Sequence, residues 1–486
     1  MNQWADKKVL VLGLGETGLS MVRWLSAQGA RLRVADSRSA PPGLVEVGKY
    51  VAADQIFCGP FSNALFEGID LIAISPGVPL RDPHVAKAVS RGIPAIGDIE
   101  LFAQQLTTND YRLSTKVLAI TGANGKTTVT SMVEHLCKAA GRNAVAAGNI
   151  SPALLDAVMA RGENQPEIWV LELSSFQLET TFSLDADAAT VLNISEDHLD
   201  RYAGMDEYAA AKARIFHGSG VQVLNRDDAR SLGMALPGRK IVTFGLDAPS
   251  GEHDFGIERA AGDIWLMQGE QRLLKADELQ VAGLHNVANA LAALALCRAI
   301  GLPLTGLLDA LRSFKGLPHR VERVAEISGV VYYDDSKGTN VGATVAALQG
   351  LGRKAVLVAG GEGKGQDFAP LKPAVAEHAR AVVLIGRDAT LIASALNGCG
   401  VDVVRAKDMA DAVQQASRLA QRGDAVLLSP ACASFDMFRN YAHRAEMFVR
   451  AVHQLGAAHE QISLAQTSSG QALPKGGAIG EGACSR

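Results

Sequence analysis

The 486-residue sequence has no C-x-x-C pair, little net charge and no apolar run approaching a membrane span. Its six cysteines, Cys58, Cys137, Cys297, Cys399, Cys432 and Cys484, are too scattered for a dense disulfide framework, which points to a reducing, cytoplasmic setting. A formal charge of −4 gives bulk electrostatics no reason to draw the chain to nucleic acid or to an anionic membrane. Any phosphate must therefore be held by a local constellation. The first eight residues carry Trp4, Asp6, Lys7 and Lys8 in place of the apolar core of a signal peptide, so a soluble, unprocessed chain without a membrane span is expected.

What the chain does contain is strand, glycine loop and helix in repetition. Residues 116–120 are an apolar strand pattern leading into Thr121-Gly122-Ala123-Asn124-Gly125-Lys126-Thr127-Thr128. Val129, Met132, Val133, Leu136 and Ala140 then recur at helical spacing until Gly141. Such a loop aims backbone N–H groups and a helix N-terminus at phosphate, while Lys126 adds positive charge and the Thr127 hydroxyl reaches Mg²⁺. The reading is ATP at Lys126. The spacing departs from G-x-x-x-x-G-K-[ST], whose first glycine would fall at position 120, where Ile120 stands. The competing reading is a chance Gly-Lys-Thr turn, which rarely has both a buried strand before it and an amphipathic helix after it.

Length predicts about three domains. In the first, a strand from residue 8 enters Gly13-Leu14-Gly15-Glu16-Thr17-Gly18, and Leu19, Val22, Leu25 and Ala30 continue a helical face. This is a Rossmann-like first unit. Asp36 closes a second strand where a ribose-binding acid would sit, which alone favours NAD, although any nucleotide diphosphate fits the same helix N-terminus. A third strand, residues 70–74, ends in Ser75-Pro76-Gly77, which either supports that ligand or is an ordinary tight turn. The polar stretch at 107–115 sets the first boundary near Asn109.

In the central segment, the strand at residues 168–172 ends in Glu172, followed by Leu173-Ser174-Ser175-Phe176-Gln177. A carboxylate there is where Mg²⁺ on ATP needs an oxygen. Residues 188–192 lead to a second loop at the same sheet edge that carries His198; a lone histidine is otherwise more often structural. Lys212, among small residues, reads by default as a solvated helical lysine. Asn286 and Asn289 lie three apart on one helical face and either hold a base or cap the helix. Gly316-Leu317-Pro318 breaks the chain at the second boundary.

From Val330, strands at 330–334, 355–359, 381–385, 401–405 and 425–428 alternate with helical segments, another parallel α/β layer. Its loops carry Asp335-Ser336-Lys337-Gly338-Thr339-Asn340, Gly360-Gly361-Glu362-Gly363-Lys364 and Ser429-Pro430-Ala431-Cys432-Ala433-Ser434. Loops at the carboxyl ends of parallel strands build ligand sites. Lys337 and Lys364 with Ser434 suit a small dicarboxylate, or the two lysines are simply solvated. From about Gly456 the composition is rich in Gly, Ser, Ala and Gln without period and reads as a disordered tail.

On the motifs at 13–18, 121–128, 335–340 and 429–434, the sequence from about residue 8 to 455 closely resembles the Mur ligase family, ATP-dependent amide-forming enzymes of peptidoglycan precursor synthesis. The family's own glycine loop accounts for the departure from Walker spacing. The resemblance implies three α/β domains: a Rossmann-like UDP-binding domain at 1–109, a central P-loop ATPase-like domain with a mostly parallel sheet at 110–318, and a Rossmann-like amino-acid-binding domain at 319–455, with the tail at 456–486. It implies a cytoplasmic monomer with ATP, UDP-N-acetylmuramoyl-L-alanine and D-glutamate as substrates. UDP rather than NAD would lie against Gly15, Thr17, Asp36, Ser37, Arg38, Ser75 and Gly77, with Asn149 and Ser174 on the muramoyl substrate. ATP would meet Gly122, Asn124, Gly125, Lys126, Thr127, Thr128, Asn286, Asn289, Arg320, Asp335 and Lys337. Thr339, Lys364, Ser434 and Tyr441, the last where the family pattern has phenylalanine, would surround D-glutamate. Catalytic roles fall to Lys126, Glu172, His198 and Lys212, with two Mg²⁺ ions held by Thr127, Glu172, His198 and a CO₂-derived carbamate on Lys212.

Rival readings are folylpolyglutamate synthetase, which lacks such a first domain; a non-catalytic nucleotide-binding protein, which leaves Glu172, His198 and Lys212 unexplained; and a dehydrogenase, which leaves Lys126 without a role.

Overall fold

The computed structural model describes residues 3–108, 115–197, 201–281 and 283–469. It divides into two compact units: Met1–Pro318 with Asn340–Gly350 and Lys364–Asp367, and His319–Thr339 with Leu351–Gly363 and Phe368–Arg486. The expected boundary at Asn109 and the histidine His198 lie outside the described residues.

The first unit holds two sheets. Strands β1 (Lys8–Leu12), β2 (Arg31–Asp36), β3 (Ile56–Cys58), β4 (Leu71–Ile74) and β5 (Ala95–Ile96) pair in the order β3-β2-β1-β4-β5, all parallel. Helices cover such a sheet, so β1 and β4 read as unbroken apolar runs rather than alternating ones. Leu12 pairs with both Ala35 and Ile74, which brings the loops after β1, β2 and β4 to one carboxyl edge. That is the crevice an open parallel sheet offers a ligand.

The second sheet comprises β6 (Lys116–Thr121), β7 (Ala144–Gly148), β8 (Ile168–Glu172), β9 (Ala188–Val191), β10 (Val221–Asn225), β11 (Ile241–Phe244), β12 (Phe255–Ala260), β13 (Asp263–Gln268) and β14 (Gln271–Lys275). Their order is β14-β13-β12-β11-β10-β9-β6-β8-β7, parallel except for the β12-β13-β14 meander at one end. Ile120 pairs with Glu172 and Thr190, so the glycine loop, Glu172 and the loop after β9 share an edge. One core runs between the two sheets, where Val11 and Trp24 join Val117 and Trp169, and Phe102 meets the Trp169 ring edge-on at 5.7 Å.

In the second unit, β15 (Glu322–Ile327), β16 (Val330–Asp334), β17 (Ala355–Gly360), β18 (Ala379–Ile385), β19 (Asp402–Arg405) and β20 (Ala425–Leu428) order as β15-β16-β20-β17-β18-β19. Only the β15–β16 pair is antiparallel. Leu428 pairs with Asp334 and with Val358, so the loops at 335–340, 361–363 and 429–434 gather at one edge.

The helix Tyr441–Ser469 extends past residue 456, where the sequence reading begins its tail. Ala457 and Ala458, good helix formers, follow Gly456 in this helix. Residues 470–486 lie outside the described residues. Among those described, no helix is long and apolar enough to cross a membrane.

Candidate active site

The phosphate loop is built by two glycines in the left-handed half of backbone space. Gly122 (φ 152°) passes so close to the β9 end that an added Cβ would sit 3.0 Å from Leu192 Cβ; at Gly125 (φ 82°) it would fall 2.6 Å from Asn289 Oδ1. Glycine is required at these two places, and Ile120 is free to be a buried strand residue. Asn193 clamps the loop: its carbonyl accepts from Ala123 N (2.9 Å), its Oδ1 from Asn124 N (2.8 Å), and its Nδ2 donates to Asn124 O (3.1 Å). The helix Lys126–Ala139 starts directly after, with Thr127 and Thr128 in its first turn. Lys126 Nζ folds back onto the carbonyls of Gly122 and Ala123, both at 2.9 Å.

Lys212 overturns its default reading as a solvated lysine. It is 1% exposed, on the helix Met205–Ala213, and its Nζ donates to Gly122 O (2.9 Å) and Thr121 Oγ1 (3.3 Å) over the ring of Tyr208. Burial, then the nearby charge of Lys126, lowers its pKa well below the ordinary lysine value. Sequence periodicity did not mark it, because its neighbours Ala209, Ala210, Ala211 and Ala213 carry no amphipathic contrast.

Glu172, at the end of β8, is 2% exposed. Its Oε1 accepts from Asn149 Nδ2 at 2.9 Å, while its buried Oε2 has no hydrogen-bond partner among the described residues. A buried carboxyl oxygen left without a donor is a place for a cation. Neither Asn286 nor Asn289 stands at the N-cap position of the helix Leu284–Ala299, which is Gly283. Asn289 Nδ2 instead donates to Asn286 Oδ1 (3.2 Å), and its Oδ1 lies over Gly125.

A cavity of about 590 Å³ gathers Gly15, Thr17, Asp36, Ser37, Arg38, Ser75, Gly77 and Asn149 from the expected set. Ser174 is not among the lining residues, but its N and Oγ both donate to Oε1 of the cavity residue Gln177. Asp36 has no oxygen to spare for a ribose. Arg38 grips it with Nε (2.8 Å) and Nη2 (2.7 Å), and Leu14 N and Arg38 N donate to it at 2.7 and 2.9 Å. This pairing holds the Asp36 carboxyl at about 2, below the usual range. Glu16 and Gln177, which the sequence reading did not single out, also line the cavity. Gln177 had a local signal, as the last member of the Ser174 capping box.

Of the residues expected around D-glutamate, Lys364 lies in the first unit, paired with Asp197 at 3.1 Å. Thr339, Ser434 and Tyr441 are in the second, with Lys337 Nζ 3.8 Å above the Tyr441 ring and Ser434 only 3% exposed. Asp335 accepts from Ser429 Oγ at 2.6 Å, and burial pushes its carboxyl up to about 7 against that bond and the charge of Arg320.

A phosphate loop beside a buried lysine and carboxylate, adjoining a nucleotide-sized crevice, defines a phosphoryl-transfer enzyme of α/β type. The chain belongs to the Mur ligase family. It matches the Mur ligase MurD-like N-terminal domain over residues 7–97, the Mur ligase middle domain over 120–297 and the Mur ligase glutamate ligase domain over 319–432. The UDP-N-acetylmuramoylalanine–D-glutamate ligase of Nitrosomonas europaea is 58% identical over 456 residues, covering 92% of this chain and 96% of its own. The protein of that name from Methylobacillus flagellatus is 60% identical over 455 residues, covering 94% and 98%. Among solved structures, the UDP-N-acetylmuramate-alanine ligase MurC of Thermotoga maritima (TM-score 0.57, 20% identity, 92% of this chain and 99% of that one) shares the fold. So does the MurF ligase of that organism, solved with ADP (TM-score 0.56, 18% identity, 93% and 97%).

Proposed function

We propose that this chain is an ATP-dependent ligase that joins D-glutamate to UDP-N-acetylmuramoyl-L-alanine in cytoplasmic peptidoglycan precursor synthesis, releasing ADP and phosphate. The observation that carries the reading is the position of Asn149, which both lines the nucleotide-sized cavity and donates to Glu172 at the phosphate-loop edge. A substrate anchored in the cavity can thereby reach the γ-phosphate. The names and 58–60% identities of the relatives support the same substrates.

In this reading UDP lies against Gly15, Thr17, Ser37, Arg38, Ser75 and Gly77, with Asp36 acting through Arg38, and Asn149 and Ser174 direct the muramoyl arm. Gly122, Asn124, Gly125, Thr127 and Thr128 present the loop to the ATP phosphates, while Asn286, Asn289, Arg320, Asp335 and Lys337 orient the nucleotide. The alanyl carboxylate oxygen attacks the γ-phosphorus and the bond to ADP breaks, leaving an acyl phosphate. The free amine of D-glutamate, held by Thr339, Lys364, Ser434 and Tyr441, then attacks the carbonyl carbon. The tetrahedral intermediate collapses by breaking its C–O(P) bond, phosphate departs with the carboxylate oxygen that had attacked phosphorus, the carbonyl oxygen stays in the new amide, and the amine proton passes to the departing phosphate. Lys126, released from the Gly122 and Ala123 carbonyls, offsets the charge that otherwise repels carboxylate from triphosphate.

The reading includes two Mg²⁺ ions. Thr127 and Glu172 would hold one, and His198 with a carbamate on Lys212 the other; the unpartnered Glu172 Oε2 supports the first site and the buried Lys212 amine the second. When bound, they neutralise phosphate charge. The proposed domain limits are 1–109, 110–318 and 319–455, and a monomer suffices because one chain supplies every residue named.

Phosphate release from ATP with UDP-N-acetylmuramoyl-L-alanine tests the proposal, comparing D-glutamate, L-glutamate and no amino acid. Release that requires D-glutamate, with a new amide product by mass, is expected. No release with D-glutamate in the presence of Mg²⁺ and bicarbonate would overturn it.

A further inference from the structure

The helix that begins at Tyr441 inserts one charged side chain completely into the second unit. Arg444 is 0% exposed, and its hydrogen-bond partners are a hydroxyl and two carbonyls. Its Nε donates to Ser336 Oγ (3.0 Å) and its Nη2 to Ser336 O (2.8 Å), while Nη1 donates to Cys432 O (3.0 Å). These partners come from two loops that follow the neighbouring parallel strands β16 and β20.

Burying a guanidinium without a hydrogen-bonded carboxylate is costly, so its hydrogen bonds must be well formed. Burial draws its pKa down only to about 10, with Cys432, Asp436, Asp334 and Asp335 acting in the opposite direction, so it stays charged near neutral pH. A planar fork can serve two loops at once; a lysine ammonium donates from a single point and cannot span the same acceptors. The Ser336 hydroxyl in turn donates to Tyr441 O (2.7 Å), on the residue whose ring lies under Lys337. Ala431 N donates to Gly338 O (3.0 Å), a second tie between the same loops.

We propose that Arg444 is a positioning residue of the amino-acid site, locking the loop at 335–340 against the loop at 429–434 and so setting the separation of Thr339 from Ser434. The proposal rests on the functional reading above, which puts D-glutamate between these loops. Arg444 acts through Ser336 and Cys432 and has no contact with substrate in this role.

The test is steady-state kinetics of full-length Arg444→Lys and Ser336→Ala with each substrate varied in turn, alongside the wild type. Loss of charged hydrogen bonds predicts a KM for D-glutamate raised about tenfold or more in Arg444→Lys. The KM for UDP-N-acetylmuramoyl-L-alanine should stay within about twofold, since its cavity belongs to the first unit. Ser336→Ala should give the same split in smaller measure, and the double variant should be less than additive because the two share a contact. An unchanged KM for D-glutamate, or an equal rise for both substrates, would overturn the role of Arg444. If Arg444→Lys does not fold, Ser336→Ala decides by the same criteria. Wild-type protein without D-glutamate-dependent phosphate release would overturn the functional reading instead.

Discussion

Lys126 and Lys212 donate to the same acceptor, the carbonyl oxygen of Gly122, each at 2.9 Å. Two amines on one oxygen beside a buried wall repel if both are charged, and Lys212, fully enclosed, is the one driven toward neutrality. Lys126 is only partly buried and is the one able to turn to a phosphate.

Lys126→Ala is therefore expected to reduce ATP turnover by at least about 10²-fold, the scale of removing one electrostatic contact to the transition state. The loop should keep its shape, because Asn193 holds Ala123 and Asn124 independently of the lysine. Phosphate release and a thermal melt check the two halves; near-normal activity would sink the assignment.

Gly125→Ala forces a side chain into φ 82° and toward Asn289 Oδ1. The left-handed conformation costs about 1–2 kcal/mol for a residue with a Cβ. A higher KM for ATP and a lower melting temperature are expected. An unaltered KM would show that Asn289 and the loop are not arranged around this contact.

Asp36 is held at about 2, against an ordinary 3.8, chiefly by the Arg38 hydrogen bonds. A folded pKa below the unfolded one means stabilisation that is present above pH 3.8 and lost as pH falls toward 2. With Arg38 half-exposed and screened, Asp36→Asn should lose about 1–2 kcal/mol near neutral pH. Denaturant unfolding should find that difference closing between about pH 4 and 2. A gap independent of pH would mean that the ion pair is not its source.

Asp335 shows the opposite sign. Burial raises it from 3.8 to about 7, so its contribution to stability is full below 3.8 and is lost as pH rises through 7. Asparagine carries no charge to bury, so Asp335→Asn should gain melting temperature relative to wild type as pH rises across that window. Its catalytic rate should fall about tenfold or more if the carboxylate orients ATP. A melting difference that shrinks with rising pH would contradict the assignment of the buried charge.

Much of this molecule was legible in its chain because the signals are short-range. The apolar runs at 116–120 and 168–172, their glycine punctuation and the helical spacing after Lys126 each lie within a few residues, and the observed strands Lys116–Thr121 and Ile168–Glu172 follow them closely. Which loops share an edge also followed, since parallel strands put their carboxyl ends together. The partners of individual side chains did not follow. Lys212 looks solvated among alanines and becomes buried only when Thr121 and Gly122, about 90 residues earlier, close over it. Asp36 resembles a ribose acceptor until Leu14 and Arg38 occupy both of its oxygens. Arg444 sits in a polar stretch of helix, and nothing local shows that its guanidinium will reach Ser336, 108 residues away. Periodicity records which face of an element avoids water; hydrogen bonds and charge burial are decided where distant segments meet, and only the packed chain determines those meetings.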